Sequence, residues 1–277
     1  MIDGNTGLIA HIGYPTHAFK APLIYNPWFD SAGINAVVVP MGCRAEHFAA
    51  LIASLRQLEN FRGALITMPH KVSVVDLLDQ ASPAVRVAGA CNALRLDAQG
   101  RLEGEQFDGE GFVRGVLRKG FVLAGARALV VGCGGVGSPI AASLARAGVG
   151  ALHLFDVRQS SAEALAERLR THHPGLSVAV GGNDPAGFDL VVNATPLGMN
   201  DGDPLPFDAS RLAPRTFVGE VVMKAEMTPL LQAAQARGCP FQRGTDMLFE
   251  MIPAYLEFFG LPVATPEVLR SLARLPA

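Results

Sequence analysis

Two stretches of this chain carry residue types able to do chemistry. In Val130-Val131-Gly132-Cys133-Gly134-Gly135-Val136-Gly137, Gly132, Gly134 and Gly137 have the spacing that turns a strand tightly into a helix and lets backbone approach a pyrophosphate. The helix that follows would aim free N–H groups at the turn, an anion site. A second apolar run, Ala151 to Phe155, ends in Asp156, 19 residues after Gly137, where an acidic group is expected to accept from a ribose 2′-OH. If a dinucleotide sits there, the reacting carbon gives or takes hydride and its oxygen must exchange a proton with a side chain. The second stretch supplies the candidate: Lys71, in Thr67-Met68-Pro69-His70-Lys71, directly follows a predicted strand, where α/β folds place their ligands.

The elements that must position these groups alternate along the chain. Strands are predicted over Gly7 to Ile12, Ile34 to Val39 and Ala64 to Thr67, with helices over Pro22 to Ala32 and Ala45 to Leu58. That alternation implies parallel pairing through right-handed crossovers. Val85 to Leu94 reads as a strand, Asp97 to Gly100 as a turn, and Gly109 to Lys119 as a connecting helix. The glycine turn opens a second series: strands Ala126 to Val131, Ala151 to Phe155, Phe188 to Asn193 and Thr216 to Val222, with helices up to Ala147, over Ser160 to Thr171 and over Thr228 to Arg237. Helices over Asp246 to Phe259 and Thr265 to Leu275 close the chain. The expected fold is α/β in two lobes: a substrate domain of residues 1–110 completed by the helical 244–277, and a Rossmann dinucleotide domain over 111–243.

Bulk properties narrow the partners. The 277 residues can bury a sizeable core, 49% of them are hydrophobic, and the net charge of -2 excludes a polybasic nucleic-acid binder. Cys43, Cys91, Cys133 and Cys239 are far apart and form no C-x-x-C pair, which favours free thiols in a reducing compartment. Met1 to Ala10 lacks a leader pattern and no apolar run reaches 18 residues, so a cytoplasmic place, no membrane, a small-molecule substrate and a monomer or homodimer are expected. The seven histidines, His11 among them, include no metal-spaced pair, so no metal is expected.

Along essentially its whole length the sequence resembles the shikimate/quinate dehydrogenase family. Thr67 to Lys71 is similar to its T-x-P-H-K, Gly89-Ala90-Cys91-Asn92 to its G-A-x-N, and Asp108-Gly109-Glu110-Gly111 to its D-x-x-G. Asn193-Ala194-Thr195-Pro196-Leu197-Gly198-Met199 resembles its N-A-T-P-x-G-M, and Thr228-Pro229-Leu230-Leu231 its T-P-L-L. The resemblance implies that Lys71 is the proton acceptor, that Asp108 partners it, and that Thr67 and Asn92 contact substrate. It also implies a cofactor set of Gly132, Gly134, Gly135, Val136, Gly137, Asp156, Arg158, Asn193, Thr195, Met199, Val222 and Gly244.

The departures fall on one part of the pattern. Phe19 and Ala21 occupy the positions of the family's S-x-S pair, and Met251 that of its late-helix glutamine, all three groups that the family uses on a substrate carboxylate. Lys20, between the first two, is an alternative cation for a carboxylate, although the resemblance implies that this position points away. Leu65 stands for the asparagine of N-V-T, and Met223 for a tyrosine. A carboxylate buried there without donors is penalised by at least several kcal/mol. Shikimate or quinate is the family's default substrate. A different cyclic polyol or aminated ring compound, or a dinucleotide-binding sensor, stays open beside it. Asp156-Val157-Arg158 replaces the N-R-T of NADP-using members, and a carboxylate there repels a 2′-phosphate, so NAD is expected over NADP.

Overall fold

The computed structural model describes residues 2–275, which divide into two compact units. Among the described residues, the first unit comprises 2–86, 90–107 and 252–275, and the second 87–89 and 108–251.

The first unit runs through β1 (Gly7–Gly13), α1 (Pro22–Ala32), β2 (Ala36–Gly42), α2 (Phe48–Leu55), β3 (Phe61–Ile66), β4 (Gln80–Ala81), the first residues of α3 (Pro83–Ala88), β5 (Ala93–Leu96) and β6 (Leu102–Glu105). Its sheet has the order β2-β1-β3-β5-β6-β4. β1 pairs parallel with β2 and β3, whereas β5 runs antiparallel to both β3 and β6. The apolar alternation of β1 and β3 sends Ala10, Ile12, Ala64 and Ile66 into a core with Phe48, Ile52 and Leu55 of α2. His11, Gly13 and Leu65 therefore lie on the opposite face.

The second unit holds α4 (Asp108–Arg118), β7 (Arg127–Val131), α5 (Gly137–Arg146), β8 (Ala151–Phe155), α6 (Gln159–His172), β9 (Ser177–Val180), β10 (Leu190–Asn193), β11 (Phe217–Glu220), α7 (Pro229–Ala236) and β12 (Phe241–Gln242). Its sheet, β12-β11-β10-β7-β8-β9, is parallel throughout. Both faces are covered, as a parallel sheet requires: Ala128 and Val130 of β7 enter one core with Ile140 and Leu144, Leu129 and Val131 another with Leu230 and Leu231. The strand order reverses at β7, the place where doubly wound sheets bind ligands. The chain ends in α8 (Gly244–Phe258) and α9 (Pro266–Leu272). Arg274 N–H donates to Leu23 O of α1, tying the last residues to the first unit.

Several elements differ from their expectation. Val85 to Leu94 is not a strand: Pro83 opens α3, and Gly89, at φ +64°, ends it before β5 begins at Ala93. Arg168 then donates to Val87 O and Ala88 O, satisfying carbonyls of the last turn. Ala45–His47 is a short 3₁₀ turn ahead of α2, which stops at Leu55.

Candidate functional site

In the second unit the glycine turn joins β7 to α5. A Cβ on Gly132 would come within 2.7 Å of Ala194 O, and one on Gly137 would collide with Gly132 O, so both positions exclude side chains for packing reasons. Gly134 differs: a Cβ there would meet no protein atom within 4 Å, so its missing side chain leaves open space over the turn. Gly135 and Val136 complete the half-buried loop, and Ser138 Oγ closes it by donating to Cys133 O at 2.9 Å. Beside it, a groove of about 430 Å³ is lined by Phe155, Asp156, Val157, Gln159, Val180 and Gly181. The open turn at the switch point and the adjoining groove fit a dinucleotide's pyrophosphate and adenosine end.

Asp156 is turned toward the protein backbone. Its Oδ2 accepts from Cys133 N–H and its Oδ1 from Arg158 N–H, both at 2.8 Å, while the Arg158 side chain is exposed.

A second cluster in this unit gathers Asn193, Thr195, Met199, Val222 and Gly244 around a carboxylate that the sequence pattern does not single out, Glu220. This residue ends β11 and is 0% exposed. Its Oε1 accepts from Asn193 Nδ2 (3.0 Å), Val221 N–H (2.8 Å) and Val222 N–H (3.1 Å), and its Oε2 from Thr228 Oγ1 (2.9 Å). Asn193 also donates to Leu197 O, and its Oδ1 accepts from the Thr195 N–H and hydroxyl, folding the loop that Met199 ends. A Cβ on Gly244 would collide with Val222 O, so α8 starts hard against the turn after β11. Burial pushes the Glu220 carboxyl above its ordinary value, against the lowering effect of its four hydrogen bonds. An acid ending an otherwise apolar strand was the available signal.

Asp108 and Met251 also belong to this unit. Asp108 opens α4 and is buried. The glycines of its motif are packing residues: a Cβ on Gly109 would collide with Pro139 O of α5, and one on Gly111 would lie 2.7 Å from Met251 Cβ on α8.

The first unit brings Thr67, Lys71 and Asn92 to the ends of β3 and β5. Thr67 N–H donates to Ile12 O, Ile66 N–H to Asn92 O, and Cys91 N–H to Lys71 O at 2.8 Å. Lys71 is 9% exposed and Asn92 0%. Asn92 Oδ1 accepts from Phe107 N–H at 3.0 Å, but its Nδ2 has no partner among the described residues. His70 turns away, stacked on Phe48 with ring centroids 4.0 Å apart and Nε2 2.8 Å from Cys43 O. Phe19 stacks on His11, and Ala21 is buried ahead of α1. The four cysteines are free and buried, and burial pushes the Cys91 and Cys133 thiols up to about 12. Among the described residues no cluster of histidine, cysteine and acidic groups is arranged for a metal, and no helix is long and apolar enough to cross a membrane.

A doubly wound sheet with an open glycine turn at its switch point, together with a separate α/β unit that presents a buried lysine, defines a protein of the dinucleotide-binding α/β class. Residues 11–94 match the shikimate dehydrogenase substrate binding domain, and residues 121–165 the ThiF family. The chain is 38% identical to a shikimate dehydrogenase (NADP(+)) of Rubrobacter xylanophilus, over 98% of this chain and 97% of the relative. A protein of the same name from Acidiphilium cryptum is 34% identical, over 99% and 98%. Among solved structures, quinate dehydrogenase from Corynebacterium glutamicum in complex with NAD superposes with a TM-score of 0.85 at 31% identity, over 96% and 98% of the two chains. The chain belongs to the shikimate dehydrogenase family.

These relatives correct the expectation of NAD. Curated relatives 38% and 34% identical to this chain are named for NADP(+). The physical reason lies in Asp156, whose oxygens already accept from the backbone N–H groups of Cys133 in the glycine turn and of Arg158 in its own, so the carboxylate is held by the protein and is not reserved for a ribose hydroxyl.

Proposed function

We propose that the protein interconverts a hydroxyl and a ketone on a shikimate-like ring with NADP, with Lys71 as the proton acceptor. The observation that carries this reading is the pairing of a buried lysine with a fully buried amide donor, Asn92 Nδ2, that no described residue accepts. An unpaired buried donor costs about 1–3 kcal/mol, a cost removed when a ligand oxygen accepts from it. Lys71 is joined to this amide's segment by the Cys91 N–H to Lys71 O bond, so the proton-transfer group and the orienting donor are held on one backbone frame. The bound dinucleotide supplies hydride exchange. Lys71 takes the hydroxyl proton as the ketone forms and returns it in the reverse direction. The family resemblance gives Thr67 a substrate contact and Asp108 a share in the proton transfer.

NADP is supported by the relatives' names and by the exposed Arg158, a cation for a 2′-phosphate beside the groove that Asp156 lines. Loss of one general base costs roughly 10²–10⁴-fold in rate. Lys71→Ala is therefore expected to lose at least about 10²-fold in kcat for NADPH formation with ring alcohols while NADP titration stays unchanged. Unchanged kcat in Lys71→Ala would overturn the assignment.

A further inference from the structure

We propose that His11 and Phe19 form a substrate-contacting pair that selects an uncharged ring, a cyclic polyol or its ketone, over a ring carboxylate. The inference rests on the reading that the first unit binds the ring substrate and assigns that site its selectivity.

The parallel register of β1 and β3 sets His11 opposite Leu65 and Ile12 opposite Ile66. Residues in register share a sheet face, so His11 and Leu65 are neighbours on the face turned away from the α2 core. The resemblance places an asparagine at position 65. Here that side chain is apolar, and the polar group on this face comes from one strand over.

Phe19 completes the pair. Its ring lies 4.1 Å from the His11 imidazole, centroid to centroid, at 28°. Gly13 makes the approach possible, because a Cβ there would stand 3.0 Å from Phe19 Cζ, 2.7 Å from Met68 O and against the Thr67 methyl. The stack is therefore held between the end of β1 and the Thr67-Met68 segment that leads to Lys71.

His11 is 9% exposed, and its Nδ1 has no partner among the described residues. That is an unspent hydrogen-bonding position near positions 19 and 21, where Phe19 and Ala21 bring no hydroxyl. Burial, reinforced by the positive charge of Lys71, drives the imidazole down to about 3, so it is neutral at physiological pH. A neutral imidazole offers one donor and one acceptor, which match a ring hydroxyl, and no counter-charge for a carboxylate. The apolar faces of Phe19 and Leu65 add desolvation against an anion. The hydrogen-bonding match and the apolar faces thus agree on an uncharged polyhydroxylated ring.

The test titrates the intact protein, with NADP, against shikimate, quinate, myo-inositol and cyclohexane-1,2-diol, reading NADPH formation and the His11 imidazole resonances by NMR. The expected result is at least tenfold lower KM for an uncharged ring than for shikimate or quinate. His11→Leu is expected to raise that KM at least tenfold with kcat within threefold, a split that a structural histidine would not produce. Phe19→Ser with Ala21→Ser is expected to lower KM for shikimate or quinate at least tenfold. Preference of the wild type for shikimate or quinate, an unchanged KM in His11→Leu, or no gain in the double-serine variant would overturn the inference. If none of the four compounds is oxidised, the dehydrogenase reading fails separately. The inference is then decided by the His11 resonances, which must shift with the uncharged rings and not with the carboxylates.

Discussion

Glu220 and His11 are both buried polar side chains on sheet strands, yet their surroundings are opposite. Around Glu220 every oxygen is used: three N–H groups and one hydroxyl converge on it from β10, the turn after β11 and the cap of α7. Around His11 the hydrogen-bonding capacity is left open, with a ring stacked on one side and Nδ1 unpaired. A fully satisfied buried group rigidifies its surroundings, whereas an unsatisfied one costs stability until something binds. The contrast separates side chains that hold a site from side chains that wait for a ligand.

The largest effect is expected where the network is complete. Glu220→Ala leaves Asn193 Nδ2, two backbone N–H groups and the Thr228 hydroxyl without their shared acceptor. The expected loss is about 3 kcal/mol, read by urea unfolding, with weaker dinucleotide binding because the Asn193 to Met199 loop loses its tether. Glu220→Gln keeps one oxygen for the three nitrogen donors and is expected to lose less than half as much. Equal stability of Glu220→Ala and wild type would erase the distinction between the two sites.

The same contrast governs what the sequence reveals. Gly132, Gly134 and Gly137 are legible because the turn is local and their spacing alone encodes it. α1 was legible from its apolar period and from Pro22, which sits where a helix begins. Val85 to Leu94 misled because the Pro83 and Gly89 boundaries compete with an apolar run that reads as strand. The two-residue strands β4 and β12 have no period to read. His11 was invisible for another reason: its meaning depends on pairing with Leu65, across 54 residues (65 minus 11), which only the β1 and β3 register establishes. Asp156 was read from its charge toward a ligand, without the two backbone N–H groups that claim it.

Per pH unit, a smaller effect follows from protonation. The ordinary histidine value is 6.5 and that of folded His11 is about 3. Between these values the unfolded chain binds a proton that the folded chain refuses, so the contribution is whole above pH 6.5 and is lost progressively as pH falls toward 3. The slope is up to about 1.4 kcal/mol per pH unit. It is isolated by subtracting the urea stability of His11→Leu from that of wild type at each pH, since other acid-titrating groups cancel in the difference. A flat difference between pH 6.5 and 4 would mean that the imidazole charges freely in the folded protein.

The smallest effect has the sign that best distinguishes the two sites. At pH 7.5 His11 is neutral, but its Nδ1 still lacks a partner, and an unpaired buried polar atom costs about 1–3 kcal/mol. Leucine at this position removes that cost and keeps an apolar body against Phe19 and Leu65, at the expense of the ring stack, itself worth about 0.5–1.5 kcal/mol. The two terms oppose, and the net expectation is a gain of about 1 kcal/mol in unfolding free energy for His11→Leu without ligand. Glu220→Ala moves the other way by a larger amount. A histidine kept for the fold would destabilise the protein when replaced; one kept for a ligand stabilises it and weakens binding. Loss of stability in His11→Leu would place His11 with Glu220 among the groups that hold the site.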